Sequence, residues 1–187
     1  AGFAVGVVER KRIIDGTAVR PGDVILGLAS SGLHSNGFSL VRHICFKQEK
    51  LSVTDRPDEF GGATLGQILL TPTRIYVKSV VSVLSGYKVK KVIHGMAHIT
   101  GGGLVGNIPR VLPDNCDAAI RKGSWPVHPV FDFLRRRGPV DNGEMFRVFN
   151  MGIGFVLLVA PDFADSIRDK LEKCGETVYP IGTIVPG

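Results

Sequence analysis

Apolar and polar positions change period along the chain often enough to lay out alternating elements. Residues 1–9 alternate small and branched apolar side chains and predict a strand. Val24–Ala29 is a continuous apolar run and predicts a second, fully buried strand. From 38 to 47, Leu40, Val41, Ile44 and Cys45 recur at helical spacing. A short helix over 64–70 is stopped by Thr71-Pro72, since the residue before proline is steered away from helical angles. A longer helix is predicted over 73–84, with Ile75, Val77, Val80, Val81 and Leu84 as its apolar stripe. Residues 89–99 predict a strand that Gly101-Gly102-Gly103 breaks, followed by a helical turn or two over 104–112, kinked or ended near Pro109.

The second half continues the alternation. A strand over 116–121, helices over 129–137 and 143–149, and a strand over 153–160 follow one another. Pro161 suits a first helical position, so 162–174 predicts an amphipathic helix, stopped by Gly175, before a last strand over 177–185. Asp15-Gly16 and Pro21-Gly22-Asp23 are turn signals, and the polar stretch 49–62 reads as an exposed loop. Strands and helices intermix, without internal repeat or low-complexity linker. The fold class expected is therefore α/β or α+β, a mixed β-sheet flanked by helices, as one domain over 1–187.

Composition narrows the setting. With 44% hydrophobic residues the chain is no disordered polyelectrolyte. Its longest strongly apolar stretch, 151–160, falls short of a membrane span, which needs roughly 20 residues. The opening residues have no basic leader, so no secretory signal is expected. The net charge of +6 is mild, and the basic clusters 10–12, 88–91 and 135–137 are short and scattered. They read as solvated faces, so no nucleic-acid partner is expected, while a small anion would use the same positive field. Cys45, Cys116 and Cys174 lie far apart with no metal-ligand spacing, which fits free thiols in a reducing, cytoplasmic setting. Glycine, at 24 residues, is about twice as frequent as usual, so loops carry much of the specificity.

Two loops hold the candidate chemistry. Ser30, Ser31, Gly32, Leu33, His34, Ser35, Asn36 and Gly37 link a buried strand to a helix start, where backbone N–H groups and the helix dipole favour an anion. Serine and asparagine side chains add donors, and His34 is the one group here that titrates near neutrality. A phosphate site is the favoured reading; the plainer one is a turn capped by Ser35 or Asn36. The second loop, Thr100-Gly101-Gly102-Gly103-Leu104-Val105-Gly106, fits the dinucleotide pattern G-x-G-x-x-G. That site also wants an acidic residue about 20 positions on, where this chain has Ile120. A glycine loop on another phosphate or substrate oxygen survives as the better reading, and no P-loop lysine motif exists. His94 and His98 stand four apart on a strand without a third ligand, so they read as core or edge histidines and no metal site is expected. The run 144–152 has aromatics best read as packing, with Asn150 left open.

On these segments the chain resembles the C-terminal half of AIR synthetase, the phosphoribosylformylglycinamidine cyclo-ligase family. The resemblance rests on AGFAVGVVE, GDVILGLASSGLHSNGFSLVR, LLTPTRIYVKSV, AHITGGGLVGNIPRVLPDN and EMFRVFNMGIG, and runs over almost the whole chain. LTPTRIYV and NIPRVLP are specific to it, whereas the SSGLHSNG and GGG loops are shared with related ATP-using enzymes such as formylglycinamide ribonucleotide amidotransferase. The resemblance implies ATP-driven closure of the imidazole ring of formylglycinamidine ribonucleotide, in purine biosynthesis. It implies His34 as the catalytic residue. It also implies that Ser30, Ser31, Gly32, Ser35, Asn36, Gly37, Thr100, Gly101, Gly102 and Gly103 bind substrate or phosphate. ATP and Mg²⁺ would be held mainly by an N-terminal domain whose motifs are not in this sequence, so a fragment inactive alone, from a homodimeric parent enzyme, is expected. A phosphate-binding module without a reaction, or a domain of the related amidotransferase, is the alternative.

Overall fold

The computed structural model describes residues 2–87 and 90–187. Five strands, β1 (Val24–Ala29), β2 (Ile93–His98), β3 (Cys116–Ile120), β4 (Ile153–Val159) and β5 (Val178–Pro186), form one sheet in the order β2-β4-β1-β5-β3. Helices intermix with the strands, as the class expected from the sequence requires. The sheet differs from a mixed one, because each of its four strand pairs is antiparallel.

β1 is the central strand, with β4 on one side and β5 on the other. Its continuous apolar run has a simple cause, since both faces are covered. Ile25 faces a cluster with Ile153, Val156, Leu158 and Trp125. Leu26 and Leu28 point the other way, toward α3 (Val77–Gly86) and α7 (Ala164–Lys173), against Val80, Val83, Ile167 and Leu171. A third cluster sits beyond the sheet, where α5 (Pro129–Arg137) and α6 (Asn142–Val148) bring Phe131, Phe133, Leu134 and Met145 onto Val41, Ile44 and Leu65.

Most helix ends follow the local signals. Pro129 opens α5 at its first turn, and Asp141 caps α6 by accepting from the Glu144 N–H at 2.8 Å. α2 (Leu65–Leu69) starts in a reciprocal capping box between Thr64 and Gln67. α1 (Phe38–Arg42) continues as a π-helical stretch, His43–Gln48. Two expectations are corrected. Residues 73–76 are not helical, so α3 begins at Val77. Residues 2–9 form no strand: Phe3 is 94% and Val7 102% exposed, and no strand among the described residues pairs with them. Alternation specifies a face but not a partner, and an unpartnered strand gains no ladder of hydrogen bonds. Ala1, Lys88 and Val89, which begin or belong to segments named above, lie outside the described residues.

Among the described residues no helix is long and apolar enough to cross a membrane. The three cysteines are free thiols; Cys45 and Cys116 are buried, Cys174 exposed. Burial pushes the Cys45 thiol up to about 11.

Candidate functional site

Loop 30–37 leaves the end of β1, where the pairing with β4 shifts register between Leu28 and Ala29. Its hydroxyls are spent on holding its shape. Ser30 Oγ lies 3.0 Å from both Gly32 O and Asn150 Oδ1. Ser31 Oγ donates to Pro72 O at 2.6 Å, and Ser35 Oγ pairs with Thr73 Oγ1 at 3.0 Å. Neither Ser35 nor Asn36 caps α1; its N-cap is Gly37, in the left-handed region at φ +75°. The non-helical stretch 71–76 follows from these bonds, which pin its backbone to the loop.

His34 is turned inward, 3% exposed, with φ +56° in the left-handed region rarely adopted by a residue with a β-carbon. Its Nε2 accepts from the Ser31 N–H at 3.1 Å and faces the Arg74 N–H at 3.4 Å. A nitrogen that accepts cannot carry the proton, so the proton resides on Nδ1. Nδ1 is buried and has no partner among the described residues. Burial, reinforced by His98, His128 and Arg74, pushes the His34 pKa down to about 4, so the ring is neutral near pH 7.

Neighbours lock the arrangement. Arg74 Nε donates to Glu176 Oε2 at 2.7 Å, and the buried Glu176 also accepts from Ser79 Oγ at 2.6 Å. His128 Nε2 lies 2.8 Å from Ser30 O. Tyr76 donates its hydroxyl to Ala29 O at 2.8 Å, and burial raises its pKa. A β-carbon on Gly154 would come within 2.5 Å of His34 Cε1 and would also meet the Tyr76 hydroxyl, so the floor beneath the imidazole has no spare room.

The glycine loop is built around Asn107. Its Nδ2 reaches Gly103 O at 2.8 Å and the carbonyls of Thr100 and Gly101 at 3.2 Å, and its Oδ1 accepts from Thr100 Oγ1 at 3.2 Å. Gly102 and Gly103 have φ +100° and +59°, and α4 (Gly103–Asn107) starts there. A dinucleotide fold would place the next strand parallel beside β2; β3 instead lies at the opposite edge of the sheet, which removes that reading.

Residues 146–152 bring the two loops together. A β-carbon on Gly103 would meet Phe146 O and stand 2.8 Å from Phe149 O, while one on Gly37 would collide with the Phe149 ring. Asn150, fully buried, donates from Nδ2 to Gly32 O at 2.8 Å. Asn36 Oδ1 is 3.8 Å from where a β-carbon on Gly101 would sit. Thus the two loops meet at Asn36 and Gly101, and Gly37 and Gly103 both rest on Phe149 as a shared floor. The sequence reading did not anticipate Tyr76, Asn107 or His128 here. Asn107 and Asn150 carried one usable signal, since an amide inside an apolar run is buried with its hydrogen bonds satisfied.

An apolar cleft of about 470 Å³ opens beside this site, between α3 and β2, with Tyr76, Met96, His98 and Phe155 among its walls. A larger one of about 620 Å³, walled by Ile13, Ile14, Leu84, Lys90 and Lys91, touches none of the loop residues. His94 is buried against Asp23 at 2.7 Å while His98 faces outward. Among the described residues no three His, Cys, Asp or Glu side chains are grouped to hold a metal ion.

Residues 20–187 match the family model described as "AIR synthase related protein, C-terminal domain". Curated relatives include the phosphoribosylformylglycinamidine cyclo-ligases of Caldanaerobacter subterraneus, 51% identical, and Geobacillus kaustophilus, 53% identical, each over all of this chain and 54% or 53% of the relative. The chain spans about half the length of the curated relatives it matches. Among solved structures, a thiamine-monophosphate kinase from Stenotrophomonas maltophilia aligns over 96% of this chain and 52% of that one, with TM-score 0.60 at 18% identity. T. maritima PurL complexed with AMPPCP aligns over 96% of this chain and 24% of that one, with TM-score 0.53 at 14% identity, and both show a shared fold. The matched segment takes in the sheet, both loops and the floor beneath them, and on that ground the chain belongs to the AIR synthase related protein family, as its C-terminal domain.

Proposed function

We propose that the chain is the C-terminal part of a phosphoribosylformylglycinamidine cyclo-ligase and supplies one wall of its active site. The observation that carries this reading is the convergence of loops 30–37 and 100–103 on one floor, in a chain about half identical along its whole length to enzymes of that name. In the reaction, the formyl amide oxygen of formylglycinamidine ribonucleotide attacks the γ-phosphorus of ATP and ADP leaves. An amidine nitrogen then displaces phosphate and closes the imidazole ring, giving aminoimidazole ribonucleotide.

On this reading His34 has a particular part. With Nε2 occupied by backbone donors, it offers Nδ1–H, as a neutral donor to oxygen that gains negative charge. Exposed backbone at 101–102 suits substrate phosphate. ATP and Mg²⁺ are held mainly by residues outside this chain, so no metal step is assigned to it. The parent enzyme is a cytoplasmic homodimer that uses no nucleic acid.

ADP release coupled to aminoimidazole ribonucleotide formation tests this. The chain with substrate, ATP and Mg²⁺ is expected to be silent, and addition of the separately produced N-terminal half to restore substrate-dependent turnover. In the full-length parent, His34→Ala should abolish most turnover with the fold intact. A parent that never makes the product would overturn the reading, and near wild-type turnover in His34→Ala would remove His34 from it.

A further inference from the structure

Asn150 is fully buried, lies 120 residues from Ser30 in sequence, and uses both ends of its amide on the turn that carries the His34 donor. Nδ2 donates to Gly32 O at 2.8 Å, and Oδ1 accepts from Gly152 N–H at 2.8 Å with Ser30 Oγ 3.0 Å away. Gly152 O in turn accepts from Ser30 N–H at 2.8 Å. Residues 30 and 32 are therefore both fastened, and residue 31 between them has little freedom. The group left pointing out of that clamp is the Ser31 N–H, 3.1 Å from His34 Nε2.

The clamp itself rests on strained backbone. Met151 and Gly152 take φ +49° and +99°, and Met151 O is held by Trp125 Nε1 at 2.8 Å.

We infer that Asn150 is a positioning residue: by fixing turn 30–32 it keeps the Ser31 N–H on His34 Nε2 and so selects the Nδ1–H tautomer of His34. This rests on His34 being the functional group of the proposed site, but its physical content is independent of the reaction. The titratable or charged groups facing His34 are His98 from β2, His128 before α5, and Arg74 and Tyr76 before α3. None of them bonds to Nδ1, so the tautomer depends on what Nε2 accepts.

The test is a ¹⁵N-histidine NMR titration of the protein, with the His34 signals assigned through His34→Gln. In the wild type, Nε2 should show the shift of an acceptor nitrogen, Nδ1 that of a protonated one, and the titration midpoint should lie near about 4. In Asn150→Ala the Ser31 contact loosens, Nε2 keeps only the longer Arg74 N–H contact of 3.4 Å, and the Nε2–H tautomer becomes populated beside the Nδ1–H one. Asn150→Ala that folds with the tautomer unchanged overturns the inference. Should that variant not fold, Ser30→Ala removes one strand of the clamp with little loss of volume. A shift in the same direction supports the inference, and no shift overturns it. Turnover of the full-length parent decides separately whether the reaction is the proposed one: a tautomer shift in this chain beside a parent that never makes the ring-closed product would uphold the clamp and defeat the function.

Discussion

The Phe149 ring fills the space that a side chain on Gly37 would need: a β-carbon built on Gly37 lies 2.8 Å from Phe149 Cδ1 and 2.9 Å from Val148 Cγ1. The ring is fully buried among Phe131, Met145 and Met151, so it has nowhere to retreat. The last residue of the histidine loop is thereby set against the end of α6.

Gly37→Ala therefore combines overpacking with a left-handed alanine. Overpacking costs about 1–3 kcal/mol, and the backbone strain about 1 kcal/mol more. The expected loss, about 2–4 kcal/mol, is read from the denaturant midpoint at unchanged slope. A wild-type midpoint would mean that the ring moves aside freely.

The His34 pKa carries a sign that stability can check. Its folded value, about 4, lies below the ordinary 6.5, so between those values the unfolded chain binds a proton that the folded one refuses. The contribution is complete above pH 6.5 and is lost progressively as pH falls to about 4. His34→Gln, which cannot titrate, should flatten the stability curve in that window relative to wild type. Parallel curves for the two proteins would contradict a neutral buried imidazole.

The Asp23–His94 pair joins the turn before β1 to strand β2 at 2.7 Å, and both side chains are buried. Asp23 Oδ2 also accepts from Arg20 N–H at 3.0 Å. Asp23→Ala leaves a buried imidazole and a backbone N–H without their acceptor. Leaving a buried donor unsatisfied costs about 1–3 kcal/mol, and thermal unfolding should show it. A loss below about 1 kcal/mol would place the pair in the class of solvated surface contacts.

Much of this architecture was legible locally, and the parts that were not share a cause. β1 and β4 are read directly from apolar runs, and α7 from the proline before it and the glycine after it. The start of α3 was displaced because Thr73 and Arg74 obey bonds to Ser35 and His34, which periodicity does not register. Loop 30–37 stood out as a candidate site from its residue types. That its serine hydroxyls bond within the protein was not legible, because Pro72, Thr73 and Asn150 supply the partners from 38 to 120 residues away. The strand expected over 1–9 had the right pattern, and residues 2–9 have no strand to pair with among the described residues.

The sheet order has a consequence for how the protein is made. β1, at the centre, leaves the ribosome first among the strands, yet both its neighbours, β4 and β5, come last. At about 5–20 residues per second, the 120 positions between Ser30 and Asn150 keep an apolar segment unpaired for roughly 6–24 s. Throughout that interval Val24–Ala29 has neither of its neighbours in the sheet to cover it.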